Sequence, residues 1–245
     1  MKAKVMICAI VLLLSAFTGS VYGAFEGTNN TFYGTNAGYN TIGDFQYDTF
    51  IGVGAGSYTT TGSANVFIGY GGGLTNTTGS SNIFIGYEAG YSNTSGFNNI
   101  SLGYAAGYNN TTGSQNTFLG YLAGSGNTTG FDNIFVGLLA GYYNTTGNNN
   151  TFLGDHAGLS NTIGNVNTYV GNSAGYSSTG SGNVFLGYRA GYNETGSNRL
   201  YIANSNTSTP LIYGEFDNKI LEINGNLSVV GPNNGLIYLT NVTTE

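Results

Sequence analysis

The sequence predicts an all-β protein, a parallel β-solenoid or β-roll of about ten 17-residue coils followed by a short C-terminal β cap. Three observations predict this fold. A motif of the form Asn-x-Phe-Ile-Gly recurs at a nearly constant spacing, two glycines recur in every unit, and the apolar residues come in short β-favouring pairs. A short fixed period is typical of stacked units, each of which buries its apolar face against its neighbours.

The first residues have the features of an export signal. Lys2 and Lys4 precede an apolar run over 5–17, which is too short to cross a bilayer. Small residues before Ala24 fit a signal-peptidase cleavage site. We therefore predict that residues 1–23 are a signal peptide, that the mature protein is secreted or held at the cell surface, and that it has no direct membrane span.

The composition excludes several classes of function. The chain has 245 residues with 42 Gly and 34 Asn, and only 7% are charged, whereas an average protein has about 25%. Without the signal peptide there are no Cys, Met or Trp residues, and the chain has three basic and eleven acidic residues. A chain so poor in cations cannot neutralise phosphates, so we expect no nucleic-acid partner.

The repeats define the domain organisation. Nine of the ten units begin with Asn and the second begins with Asp, and the spacings are 18, then 17 seven times, then 16. The units start at Asn30, Asp48, Asn65, Asn82, Asn99, Asn116, Asn133, Asn150, Asn167 and Asn183. We predict a repeat β-roll over 24–197 and a C-terminal β cap or connector over 198–245.

Within a unit, glycine placement favours strands and turns over helix. The fifth and ninth positions are Gly in all ten units, and a third Gly usually closes an Asn-Thr-Thr-Gly segment typical of a turn. Three glycines would cost a helix about 3 kcal/mol per unit relative to alanine. The Phe-Ile, Tyr and Thr-Thr segments are typical of short strands. Each unit therefore predicts one coil with two strands and two turns.

Stacking in register places equal residues above one another. The third position then forms a Phe ladder, interrupted by Ser101 and Tyr169, and the leading Asn forms an amide ladder that hydrogen-bonds from coil to coil. The fourth position is also apolar, and neighbouring strand residues point to opposite faces. Since a thin coil has one interior, the outer face needs a partner. We therefore predict a homo-oligomer, and specifically a homotrimer.

The repeat Asn-x-Phe-Ile-Gly-Tyr-x-Ala-Gly resembles the head repeats of trimeric autotransporter adhesins. It resembles more closely the long arrays of surface and tail-fibre-like proteins, in which segments like 198–205, 210–216 and 223–227 follow the array. The likeness covers about residues 30–230, without the anchor or intramolecular chaperone domain that such fibres often carry. It implies a left-handed β-roll in a homotrimer and a role in adhesion or as part of a surface appendage.

The array contains no recognisable catalytic or metal-binding pattern. Its acids are isolated, and Glu88 and Asp155 lie four coils apart, about 19 Å at the usual strand spacing, whereas glycosidase carboxyl pairs are at most about 9.5 Å apart. His156 has no second ligand or nucleophile near it in the sequence. We predict no enzyme activity, no cofactor and no metal, and expect an exported surface fibre or adhesin-like head domain.

Two sets of residues are candidate contact or modification sites. Tyrosines at the sixth position form a strip that either contacts a cell-surface, matrix or glycan ligand or packs at a subunit seam; they are Tyr70, Tyr87, Tyr104, Tyr121 and Tyr188. Asn-x-Ser/Thr sequons predict N-glycosylation at Asn76, Asn93, Asn110, Asn127, Asn144 and Asn193. Two alternatives stay open: a carbohydrate-binding solenoid using the Tyr strip, and a virion tail-fibre component.

Overall fold

In a computed structural model, which describes residues 29–42 and 46–227, the protein is a parallel β-solenoid of about ten coils. Within these ranges no residue is helical. The predicted signal peptide, 1–23, lies outside the described residues, as does the last part of the predicted cap, 228–245. The structure confirms the all-β solenoid and its period.

One sheet runs along the described chain, with its thirteen strands in sequence order. Each repeat contributes one strand: β1 (Thr31–Tyr33), β2 (Thr49–Ile51), β3 (Val66–Ile68), β4 (Ile83–Ile85), β5 (Ile100–Leu102), β6 (Thr117–Leu119), β7 (Ile134–Val136), β8 (Thr151–Leu153), β9 (Thr168–Val170) and β10 (Val184–Leu186). Neighbours pair in parallel at equal repeat positions, as Phe67 does with Phe84. Stacking in register, as predicted, therefore determines the fold.

The described part of the C-terminal cap continues this sheet and then reverses its direction. Strand β11 (Arg199–Ile202) pairs in parallel with β10. Strands β12 (Ile212–Glu215) and β13 (Ile220–Ile223) follow as antiparallel neighbours. Arg199 forms ion pairs of 3.4 Å with Glu215 and Asp217, which tie β11 to the hairpin.

The prediction of two strands per coil is wrong, because each described coil has one three-residue strand and the rest is turn. The reason is the backbone: the fifth, seventh, ninth and seventeenth positions adopt positive φ, as in Gly69, Gly71, Gly73 and Ser81 of the third coil. Residues in this left-handed region break an extended chain. The turns are nevertheless bonded between coils, for example from Gly73 N to Ala89 O at 2.9 Å.

The fifth and ninth glycines are required by close packing as well as by φ. Gly69 has a φ of +131°, and a Cβ there would overlap the carbonyl oxygen of Gly86 in the next coil. Gly73 has a φ of +56°, and a Cβ there would overlap the ring of Phe67 in its own coil. Both positions therefore exclude every side chain.

The core is a column of aromatic rings, closed on one side by the alanines of the eighth position. Successive rings are stacked, with centroids 4.8 Å apart for Phe50 and Phe67 and 4.7 Å apart for Phe152 and Tyr169. Ser101 interrupts the column and divides the buried residues into two clusters. Tyr169 fits because its hydroxyl bonds to Ser178 Oγ at 2.8 Å, and burial raises its pKa to about 12.

The leading asparagines form the predicted amide ladder. Asn65 Oδ1 accepts hydrogen bonds from the backbone nitrogen of Asn82 at 3.0 Å and from its Nδ2 at 3.2 Å. Asn82 Nδ2 also donates to the carbonyl of Gly96 in its own coil at 2.8 Å. The same bonds repeat along the array, so buried amides are satisfied only when adjacent coils are in register.

Asp48 replaces asparagine in this ladder and leaves one bond unmade. Its Oδ1 accepts from Asn65 N at 2.8 Å, but its buried Oδ2 has no hydrogen-bond partner among the described residues. This oxygen takes the place of the amide nitrogen that other ladder residues use as a donor. Burial raises the pKa of Asp48 to about 6, because the charged form is poorly solvated there.

We expect Gly72→Ala to stabilise the protein. Gly72 stands where the other nine units have Ala, its φ is not positive, and a Cβ there would lie 3.6 Å from its nearest neighbour, Ile68 N. The gain should be about 0.4–1 kcal/mol from lower unfolded-chain entropy. Gly69→Ala in the same coil should destabilise by several times as much. Chemical denaturation measures both, and equal effects would contradict this packing.

We expect Asp48→Asn to stabilise the protein near neutral pH. The folded pKa of about 6 lies above the ordinary value of 3.8. The carboxyl group's contribution to the free energy of unfolding is therefore fully present below about pH 4 and is lost as the pH rises to about 6. The variant should therefore gain about 3 kcal/mol at about pH 7.5 and much less at about pH 4. Denaturation midpoints at the two pH values test this.

Asp132→Asn is the matched control, because it removes the same charge at a half-buried turn position. It separates the loss of a negative charge from the loss of the buried Asp48 carboxyl group. A gain for Asp48→Asn that is the same at both pH values would show that burial does not raise the pKa of Asp48.

Candidate functional site

The outer face of the sheet is uncharged along all ten coils and combines apolar residues with threonines. In each strand β1–β10 the central residue is buried and the two flanking residues are half-buried or exposed. The flanking residues are Thr, Val or Ile before the buried one, and Ile, Leu, Val or, once, Tyr after it. No charged residue occurs among them. We call this surface the outer stripe.

The outer stripe is as large as the largest surface patch of many single chains. Ten strands about 4.8 Å apart, each three residues of about 3.3 Å, give a flat area of roughly 450 Å². Its side chains are partly exposed, with Ile85 36% exposed and Ile134 43% exposed. The largest apolar patch of a typical monomer is about 300–600 Å² and is often functional. The outer stripe is therefore a candidate contact surface.

Four of the five predicted tyrosines form one stack. Ring centroids are 5.1 Å apart for each neighbouring pair, with planes 4–13° from parallel, through Tyr70, Tyr87, Tyr104 and Tyr121. We call these four residues the Tyr ladder. Its side chains are 45–53% exposed. Tyr188 lies apart from it, because the three intervening coils have Leu, Asp and Asn at this position, and the Arg189 guanidinium lies 5.2 Å from its ring centroid.

The Tyr ladder exposes ring edges and hydroxyls rather than ring faces. Carbohydrate recognition by aromatic residues uses the ring face, and here the faces of Tyr87 and Tyr104 are covered by their neighbours. Desolvation and the carboxylate of Glu88 raise the pKa of Tyr87, so its hydroxyl is neutral at physiological pH. This geometry favours packing over sugar stacking.

Five of the six predicted glycosylation sites are buried in a second amide ladder. Asn93 Nδ2 donates to Asn76 Oδ1 at 2.7 Å and to the carbonyl of Gly96 at 3.1 Å. Asn110, Asn127 and Asn144 repeat this pattern. A glycan is attached through Nδ2, so these five cannot carry one in the folded coil. Asn193 alone of the six is exposed.

Sequence reasoning missed this second ladder. Its residues stand at the start of Asn-Thr-Thr-Gly, which is both a turn signal and a sequon, so the surface interpretation took precedence. The available signal was position: the twelfth residue recurs as Asn in the same register as the leading Asn. A polar residue with a strict register in a solenoid is as consistent with a buried ladder as with a surface row.

A shallow cavity of about 240 Å³ lies where the array meets the cap, and the sequence did not predict it. Tyr192, Glu194, Tyr201 and residues 206–208 are among those that line it. The Glu194 carboxylate accepts hydrogen bonds from Tyr201 Oη at 2.7 Å and Gly196 N at 2.6 Å. Desolvation and this bond raise the pKa of Tyr201. Both carboxylate oxygens are thus engaged in holding the end of the array together.

The described residues contain no group of three or more His, Cys, Asp or Glu side chains that could hold a metal ion. No helix long and apolar enough to cross a membrane occurs within residues 29–42 and 46–227. His156 packs near Tyr176, with ring centroids 6.1 Å apart. Glu88 and Asp155 belong to the fourth and eighth coils, as the period predicted.

No protein-family model matches the chain, and comparison with curated proteins and with solved structures found no match. The resemblance to adhesin heads and tail fibres therefore depends on the repeat residues and the solenoid alone.

We expect the six sequons to differ when the chain is secreted by an N-glycosylating host. Peptide mapping should find glycan at Asn193 and none at the other five, so Asn193→Gln should remove it. Asn110→Gln should leave that glycan unchanged but destabilise the fold by about 2 kcal/mol, since buried amide bonds are lost. Glycan found at Asn110 in folded protein would contradict the buried ladder.

Proposed function

We propose that this protein is an exported, non-enzymatic surface fibre or adhesin-like head domain that works as a homotrimer. The observation that carries the proposal is the outer stripe, which is uncharged along all ten coils and has Ile, Leu, Val or Tyr after the buried residue of every strand. Exposing these apolar side chains to water costs free energy, so a partner that covers the stripe along its length is favoured. A second and a third copy of this chain meet that description.

The dimensions of the outer stripe support self-association. A stable interface buries about 800 Å² per partner, and the stripe contributes roughly 450 Å² before its flanks are counted. Three parallel solenoids around one axis would bring three identical stripes together as a closed apolar core. A cyclic arrangement of this kind is the usual way in which identical chains cover one shared surface.

The remaining sides support a role in contact rather than catalysis. They repeat short polar turns of Thr, Ser and Asn in every coil. A weak contact to a cell-surface, matrix or glycan ligand would thus be offered many times on each chain, and threefold again in a trimer. Repeated weak contacts raise the overall avidity without any new type of contact. Export through the predicted signal peptide would place this surface outside the cell.

We expect light scattering of the purified mature chain to give the mass of three chains. Ile85→Lys introduces a charge in the middle of the outer stripe and should shift the protein to monomer while the circular dichroism of the coil is retained. Burial of an unpaired charge in an interface is costly. Ser95→Lys adds the same charge to an exposed turn of the same coil and should leave the trimer intact.

A wild-type chain that stays folded and monomeric at micromolar concentration would overturn the proposed trimer. Dissociation by Ser95→Lys as readily as by Ile85→Lys would place the interface elsewhere.

A further inference from the structure

We infer that the Tyr ladder is a site of oxidative cross-linking, where dityrosine bonds join successive coils of the same chain. Nothing in this inference depends on the proposed trimer. It concerns the four residues Tyr70, Tyr87, Tyr104 and Tyr121, whose rings lie 5.1 Å apart in sequence order along the array.

The geometry brings the reacting atoms close together. Dityrosine forms between ring carbons next to the hydroxyl, and nearly parallel rings in register place these carbons of adjacent tyrosines side by side. About half of each side chain is exposed, so the rings have room to tilt toward each other. Exposed side chains change rotamer within nanoseconds, whereas the paired backbone keeps neighbouring coils at a fixed distance.

Few other side chains compete for an oxidant. The whole sequence has no Trp, and its single Cys and both Met residues fall within 1–23. In the remaining chain the easily oxidised thiol, thioether and indole groups are therefore missing. A radical formed on the array settles on tyrosine, and in the Tyr ladder it has a second tyrosine directly beside it.

The reaction is balanced with a peroxide as the oxidant and a haem peroxidase as the catalyst. Each of two tyrosines loses one electron and one proton, the two phenoxyl radicals join through a carbon–carbon bond, and both rings regain aromaticity by moving one proton from carbon to oxygen. The peroxide takes up the two electrons and two protons and becomes two waters. The chain loses two hydrogens per bond formed.

A bond of this kind would act where a solenoid is weakest. Solenoid coils contact only their nearest neighbours, so unfolding can proceed coil by coil from an end or a defect. The Tyr ladder spans the coils on both sides of Ser101, where the aromatic core is interrupted. A Tyr87–Tyr104 bond would join the two core clusters covalently across this interruption.

The test treats the folded chain at low concentration with horseradish peroxidase and hydrogen peroxide. We expect dityrosine fluorescence, a mass lower by two hydrogens per bond, unchanged mobility on denaturing gels, and cross-linked peptides that contain Tyr87 and Tyr104 or their ladder neighbours. The midpoint of thermal unfolding should rise after treatment. The double variant Tyr87→Phe/Tyr104→Phe should lose the cross-linked peptides of the Tyr ladder, because no adjacent ladder pair remains, whereas the stacked pairs Tyr91–Tyr108 and Tyr176–Tyr192 are unchanged in it.

The control variant is Tyr39→Phe/Tyr58→Phe. These tyrosines are 74% and 52% exposed, at least as much as most of the ladder, yet neither has a stacked ring beside it among the described residues. It should behave as the wild type. The inference is overturned if bonds map to Tyr39 or Tyr58 instead, if they join different chains at the Tyr ladder, or if no dityrosine forms while the chain stays folded.

Discussion

The hydrogen bonds of the two buried asparagine ladders, which we together call the amide spine, are the interaction on which the rest of the structure depends. In the third to seventh coils one glycine carbonyl accepts from both amide ladders: Gly96 O, for example, accepts from Asn82 Nδ2 at 2.8 Å and from Asn93 Nδ2 at 3.1 Å. The same asparagines bond to the coil on either side, so a shift of register would leave buried amides unpaired, which costs several kcal/mol. A three-residue strand alone specifies register weakly. The amide spine specifies the register that the short strands do not, and the aromatic rings stack at the coil spacing that this register sets.

The unusual composition follows from this stacking. A glycine is needed beside the spine because a Cβ at Gly96 would overlap Gly113 O and Asn93 Oδ1. Charge is scarce for a related reason. In a stack that repeats every ~4.8 Å, a charge that recurred at one position would lie directly beside its own copies, and like charges on adjacent strands are destabilising. The acidic and basic residues of the array accordingly occur singly rather than in ladders, and Asp48 in the leading asparagine ladder has a buried oxygen without a hydrogen-bond partner and a raised pKa.

Much of the fold was predictable because a period is a strong signal. The coil length, the parallel register, the Phe ladder and the leading Asn ladder all follow from aligning the repeat on itself. The number of strands per coil did not follow, because the seventh and seventeenth positions adopt positive φ with residues as varied as Glu88, Leu139 and Gln115, and nothing in their side chains predicts it. Of the candidate sites, the Tyr ladder was found by spacing, while Tyr188 was grouped with it although three coils without Tyr intervene. The second amide ladder was missed because the sequence Asn-Thr-Thr fits both a glycosylation sequon and a buried asparagine position.

The two exposed sides of the coil differ in how much bonding capacity they retain. On the turn side, the threonines of the thirteenth position use their hydroxyls within the stack, as Thr94 Oγ1 does in donating to Thr111 O at 3.0 Å. Neighbouring coils repeat this bond, so the Thr row is less available to external partners than its composition suggests. On the sheet side, the apolar side chains of the outer stripe have no partner within the described chain, and covering them would release ordered water along the whole array. The proposed self-association would therefore gain more free energy through the sheet side and would leave the turn side facing the solvent.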